Sequence, residues 1–194
     1  MPELTRVQRE FRSAMASLPS AVNVVTTSGP AGKCGVTVSA VCSVTDSPPT
    51  VLVCINRSSA MHDVFQQNGR LCVNVLSGDH EDLALHFSGA TKVSMEERFT
   101  WDIWSTAEVE VPVLKDAQVN LVGHIANQSV IGSHSVLFVE LDSIMIRDGG
   151  DDSLVYFQRK FHRIVSNGGD AISEWQFYDE WSDPIAFSQS TGGA

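Results

Sequence analysis

The chain has 194 residues, 43% of them hydrophobic, and a formal net charge of -10 at neutral pH. This length supports one domain with a real core. The acidic balance argues against broad binding to nucleic acid or to an anionic membrane, since both need basic surfaces.

The opening residues, MPELTRVQREFRSAM, hold no apolar signal segment, and no apolar run approaches the ~20 residues of a membrane span, so a cytoplasmic protein is expected. Residues 7–17 place Val7, Phe11, Ala14 and Met15 at helical spacing, which predicts a short amphipathic helix stopped near Pro19. AVNVVTTS (21–28) reads as a strand, GPAGK (29–33) as a turn, and CGVTVSAVCSVT (34–45) as one second strand broken by DSPP. TVLVCIN (50–56) is β-branched and apolar throughout and reads as a strand buried on both faces. Residues 57–69 predict a helix with Ser58 or Ser59 as N-cap and Gly69 as its stop. RLCVNVLS (70–77) is a further strand, and DHEDLALHFSG (79–89) a helix with acids in its first turn. Residues 90–116 are mixed. The longest hairpin joins 117–130 to 135–146 across IGSH, and RDGGDD turns into SLVYFQ at 153–158. Long strands, short helices and hairpin turns predict an antiparallel β-barrel with helices packed outside.

Several motifs are absent. Cys34, Cys42, Cys54 and Cys72 form no CxxC pair and lie in apolar strand contexts, so they are expected to be reduced and buried. The six histidines show no HxxxH or HExxH spacing, so no metal site is expected. GPAGKCG lacks the Ser or Thr that a phosphate loop needs after Lys33. No GxSxG elbow marks a serine hydrolase.

Two stretches carry chemistry. In INRSSAMHDVF, Asn56, Arg57, Ser58 and Ser59 converge where a strand ends and a helix starts; this suits a phosphate, or else an ordinary Ser N-cap beside a solvated Arg. In VTVSAVCSVT, the small residues Thr37, Ser39, Ala40, Cys42, Ser43 and Thr45 suit either a flat ring laid against the backbone or a closely packed barrel interior. A third stretch, MEERF, leaves Arg98 open to two readings: a cation reaching a phosphate or adenine, or part of a solvated charged face, the second being the simpler.

The segments FRSAMASLPSAVNVVTT, VSAVCSVTDSPP, LVCINRSSAM, LCVNVL, MEERF, IGSH and VYFQRKFH, in this order, resemble the short-chain flavin reductases that serve two-component aromatic monooxygenases of the 4-hydroxyphenylacetate and chlorophenol type. The resemblance implies a split β-barrel over residues 1–165 that forms a homodimer, with 166–194 as an acidic, aromatic extension. It implies an enzyme that reduces free FAD or FMN with NADH and passes the reduced flavin to a separate monooxygenase. By motif, Thr37, Ser39, Ala40 and Ser43 would line the flavin ring and its ribityl chain. Asn56, Arg57, Ser58 and Ser59 would hold phosphate, and Phe87 and Ser88 would border the flavin. The turn Gly132-Ser133-His134 would place His134 beside the nicotinamide as the catalytic residue, and Tyr156 and Arg159 would close the site. The alternative within the same fold is a flavin-binding electron carrier without NADH turnover, which would have no use for that turn. The extension holds Trp175, Phe177, Tyr178 and Trp181, which suit either a free tail or a segment docked on the body or on a partner subunit.

Overall fold

The computed structural model describes residues 4–106, 109–149 and 152–166. Its first element is helix α1 (Arg6–Ala16), started by a capping box in which Thr5 and Gln8 satisfy each other's backbone N–H groups. Strands β1 (Ser20–Ala21), β2 (Asn23–Gly29), β3 (Gly32–Val38), β4 (Val41–Asp46) and β5 (Pro49–Asn56) follow. Helix α2 (His62–Asn68) leads to β6 (Arg70–Val75), and helices α3 (Glu81–Phe87) and α4 (Met95–Arg98) lead to the short pair β7 (Trp104–Ser105) and β8 (Val113–Leu114). The long strands β9 (Val119–Ile131) and β10 (His134–Ile146), then β11 (Asp152–Phe157) and β12 (Lys160–Val165), complete the described fold.

Among the described residues, seven strands form one antiparallel sheet in the order β3-β2-β6-β9-β10-β5-β4. Its two edge strands are consecutive in the chain and are joined only through Ser39 and Ala40. The sheet must therefore curl until its edges meet at that corner, and this is a split barrel. The expected single strand over 34–45 is thus two strands. Thr37 still pairs with Val24 on β2, whereas the Ala40 carbonyl already accepts from Cys54 N of β5 at 3.0 Å. Both halves carry strand-forming residues, so the local pattern does not show the corner.

The barrel interior packs Val25, Val53, Ile55, Leu71, Val73, Leu137 and Val139, with Phe65 of α2 closing one end. A second core lies outside the curl, where Val22 and Val24 meet Leu83, Ala84 and Phe87 of α3. Strand β2 is therefore buried on both faces. Strand β5 is not, contrary to expectation: Val51, Val53 and Ile55 are buried, while Leu52 and Cys54 are only half-buried. The apolar content of β5 is strand propensity on one face and core on the other. The cysteines also divide. Cys34 and Cys72 are buried, Cys54 is half-buried and Cys42 is exposed, all of them free thiols. Burial raises the Cys34 pKa to about 12, so this thiol stays protonated and inert.

A smaller sheet, β1-β11-β12, sits beside the barrel. Strand β12, with Lys160, His162 and Arg163, was not anticipated, because only its pairing with β11 makes it a strand. The β11–β12 turn holds Gln158 and Arg159 at φ of 48° and 63°. This left-handed two-residue turn usually takes Asn or Gly.

The turn before α3 depends on a neutral histidine. His80 Nδ1 faces Ser77 N at 3.2 Å and Ser77 Oγ at 2.9 Å. Burial, opposed by Asp116, Asp79 and Asp152 and aided by Arg147, lowers the His80 pKa below its ordinary 6.5. The unfolded chain therefore binds a proton that the folded one resists, and stability falls as the pH drops below about 6.5. A His80→Asn variant is expected to show a smaller fall in Tm between pH 7 and pH 5.5 than the wild type; equal falls would remove His80 as the cause.

Candidate functional site

The corner between β3 and β4 opens onto a cavity of about 690 Å³, large enough for a cofactor-sized ring system. Of the candidate residues, Thr37, Ser39, Ser88, Tyr156 and Arg159 line it together, and Val22, Leu85 and Phe161 give it an apolar floor. Glu81 and Lys160 also line it and were not anticipated. Ser39 is exposed. Thr37 is not a free donor, because its hydroxyl already donates to Ala84 O of α3 at 2.7 Å. Part of the strand's slimness also has a packing cause: a Cβ on Gly35 would come within 2.7 Å of the Phe87 ring.

A second cavity of about 350 Å³ shares Ser88 with the first, so the two adjoin. Val36, Ser59, Phe87 and Arg98 line it. Here the simpler reading of MEERF fails, since Arg98 is buried, with only 7% of its surface exposed. Its guanidinium donates to Val93 O at 2.6 Å and lies 5.4 Å from the centre of the Phe87 ring. Arg98 Nε has no partner among the described residues. Burial lowers its pKa, yet arginine remains a cation at neutral pH. A buried cation with an unused donor beside a cavity fits an anionic group.

Of residues 56–61, Ser59 and Met61 line the second cavity. Asn56 Oδ1 accepts from Ser58 N and Ser58 Oγ, both at 2.9 Å, and Ser59 Oγ accepts from Met61 N at 3.3 Å. Neither serine caps α2, which starts only at His62 after Met61 and has no side-chain cap. The reason is local: Asn56 closes a tight turn on itself, and a second turn follows before the helix begins. At the far end Gly69 stops α2 with a left-handed φ of 69°, as expected.

The β9–β10 hairpin turns through Gly132, at φ 56°, and Ser133. His134 is exposed, and its Nδ1 lies 2.9 Å from Ser133 Oγ, which leaves Nε2 without a protein partner among the described residues. Register pairs His134 with Asn56, and Arg57 N donates to Ser133 O at 2.9 Å. The histidine turn and the 56–59 loop therefore share one edge. Asn56, Arg57, Ser58, Gly132, His134, Ala40 and Ser43 line neither of these two cavities. Ser43 lies farther along β4, opposite Val51.

Sequence reading missed His62. It is buried, and its Nε2 meets Ser135 Oγ at 2.9 Å across 73 residues of chain. No local signal announces a contact of that range.

A curled antiparallel sheet opens at its corner on a ring-sized cavity, and a cation is buried beside it. Residues 15–165 match the family model described as "Flavin reductase like domain", and the chain belongs to that family. The 4-hydroxyphenylacetate 3-monooxygenase reductase component of Pseudomonas aeruginosa is 56% identical over 164 residues, covering 84% of this chain and 96% of that protein. The FMN reductase (NADH) RutF of Yersinia enterocolitica is 47% identical over 158 residues, covering 81% and 85%. Among solved structures, the flavin reductase PheA2 superposes with a TM-score of 0.72 at 30% identity, covering 81% of this chain and 97% of its own.

Proposed function

We propose that the protein is an NADH-dependent flavin reductase, which reduces free FAD or FMN and supplies the reduced flavin to a separate monooxygenase of phenolic aromatic compounds. The observation that carries this reading is the pair of adjoining cavities, one ring-sized and open, the other holding buried Arg98 with an unused Nε–H. When bound, the flavin accepts hydride from NADH by its own ring chemistry, and the protein's share is placement. Val22, Leu85 and Phe161 supply the apolar wall, the exposed Ser39 at the corner faces the ring, and Arg98 with Ser59 faces the phosphate. His134 offers its free Nε2 as a donor at the rim. The exposed rim residues Ser39, Tyr156 and Arg159 leave a path for a flavin that enters and leaves on each cycle.

The enzyme is read as a homodimer with a 1–165 folding unit and a cytoplasmic home. Helix α1 supports the dimer: it presents Val7, Phe11 and Met15 on one side, and none of its residues is buried in the single chain. Among the described residues no helix is long and apolar enough to cross a membrane. The extension 166–194 lies outside the described residues beyond Ser166.

The reading is tested by following NADH consumption with excess FAD, FMN or riboflavin in turn. Turnover that requires added flavin supports it. A protein that stays yellow after dialysis and consumes no NADH would instead be a carrier. His134→Ala is expected to lower kcat about tenfold, or about 1.4 kcal/mol of barrier, with little change in flavin affinity. An equal loss of FMN affinity would assign His134 to the phosphate end, where its pairing with Asn56 lies.

A further inference from the structure

The 56–59 loop and the 132–134 turn are distant in sequence and adjacent in space. Backbone contacts join them from the strand side: Asn56 pairs with His134, Ile55 with Ser135, and Arg57 N donates to Ser133 O. On the helix side the link is a buried histidine. His62 opens α2 directly after the loop, and its backbone N donates to Ser59 O at 3.1 Å. Its Nδ1 lies 2.7 Å from Asp63 Oδ1 and its Nε2 lies 2.9 Å from Ser135 Oγ.

The three side chains have the connectivity of a serine hydrolase triad, but Ser135 is fully buried and cannot meet an acyl group. Their role must be sought in placement. A carboxylate only accepts, so Asp63 holds the ring proton on Nδ1, and Nε2 then accepts from the Ser135 hydroxyl. No other side-chain partner of Ser135 occurs among the described residues. Without His62 its buried hydroxyl would lose that partner, and the tie between the start of α2 and the start of β10 would be lost with it. That start carries His134.

We propose that His62 is a positioning residue of the flavin site: through Ser135 it fixes the placement of the His134 turn against the 56–59 loop. This rests on the flavin reductase reading above. His62 itself lines neither cavity, so its effect is exerted through Ser135 and the chain on either side of it. The loop supports this, because Asn56, Ser58, Ser59 and Met61 are hydrogen-bonded into one connected piece. Fixing one end of that piece to β10 fixes its distance from His134, and small displacements of reacting groups cost rate steeply.

The test compares His62→Leu, His62→Gln and Ser135→Ala with the wild type. The measurements are FMN affinity by fluorescence quenching, kcat and KM for flavin in NADH oxidation, and Tm. His62→Leu and Ser135→Ala are each expected to raise the FMN Kd roughly tenfold, equivalent to about 1.4 kcal/mol, and to lower kcat severalfold. The double variant is expected to be no worse than the worse single one, since both break the same link. His62→Gln keeps a polar partner for Ser135 and is expected to restore most of the affinity. Unchanged Kd, KM and kcat in folded His62→Leu, with only Tm lowered, would overturn the proposal and leave His62 an ordinary core residue. If His62→Leu does not fold, Ser135→Ala, which nearly keeps the shape, decides the matter by the same readouts. A wild type that binds FMN but consumes no NADH would sink the reductase reading, while the Kd comparison would still judge the positioning role. A wild type that neither binds flavin nor oxidises NADH would overturn both.

Discussion

Replacing Arg98 by methionine is expected to weaken FMN binding by about 30- to 100-fold while leaving riboflavin binding within about twofold. The size follows from the loss of a charge-assisted contact to an anion, about 2–3 kcal/mol. The contrast follows from where the charge sits. Arg98 is buried beside Ser59 and Ser88, its Nε has no partner among the described residues, and riboflavin lacks the phosphate that would supply one. Methionine keeps much of the side chain's volume against Phe87, so the packing in this pocket is largely retained. Titration of intrinsic flavin fluorescence with FMN and riboflavin measures both affinities. A parallel loss for the two flavins would mean that Arg98 shapes the ring cavity and does not read the phosphate.

Ser39→Leu is expected to lower affinity for FMN and riboflavin alike, by at least roughly tenfold, because a larger side chain at the corner occupies the ring's space. Stability should be almost unaffected, since Ser39 is exposed and surface changes usually stay within about 0.5 kcal/mol. Together the two variants separate ring from phosphate: one discriminates between the flavins, the other does not. Normal flavin affinity in Ser39→Leu would refute the reading of this corner as the ring site.

Much of the fold was legible because it is local. The amphipathic helix α1, Gly69 at the end of α2 and the turn at Gly132 are written in a few neighbouring residues. The long β9–β10 hairpin was legible for the same reason, its two strands being joined by one short turn. The break at Ser39–Ala40 was not, because a strand that changes partner keeps the composition of a strand. Strand β12 was missed because its charged residues become a strand only by pairing with β11.

The site divides in the same way. The small residues 37–43 and the 56–59 segment could be named from sequence as candidates, because each is a short cluster of suitable donors, and the turn at 132–134 could be named through the family resemblance. Their grouping could not. Thr37 is spent on α3, and Ser43 lies away from both cavities. Arg98 changed from a surface charge to a buried cation, since its environment is completed by Gly35 and Phe87, which are distant in sequence.

By itself, then, the sequence determined a mainly antiparallel domain, its longest hairpin, the stop of α2 at Gly69, and a set of short polar clusters matching a flavin reductase. Those properties depend on residues a few positions apart, where backbone geometry and side-chain chemistry act directly. Only the tertiary structure decided that the sheet curls at Ser39–Ala40, that Arg98 is buried beside a cavity, and that His62 meets Ser135. Each of these depends on contacts between segments brought together by the closing of the sheet, and no local pattern carries that information.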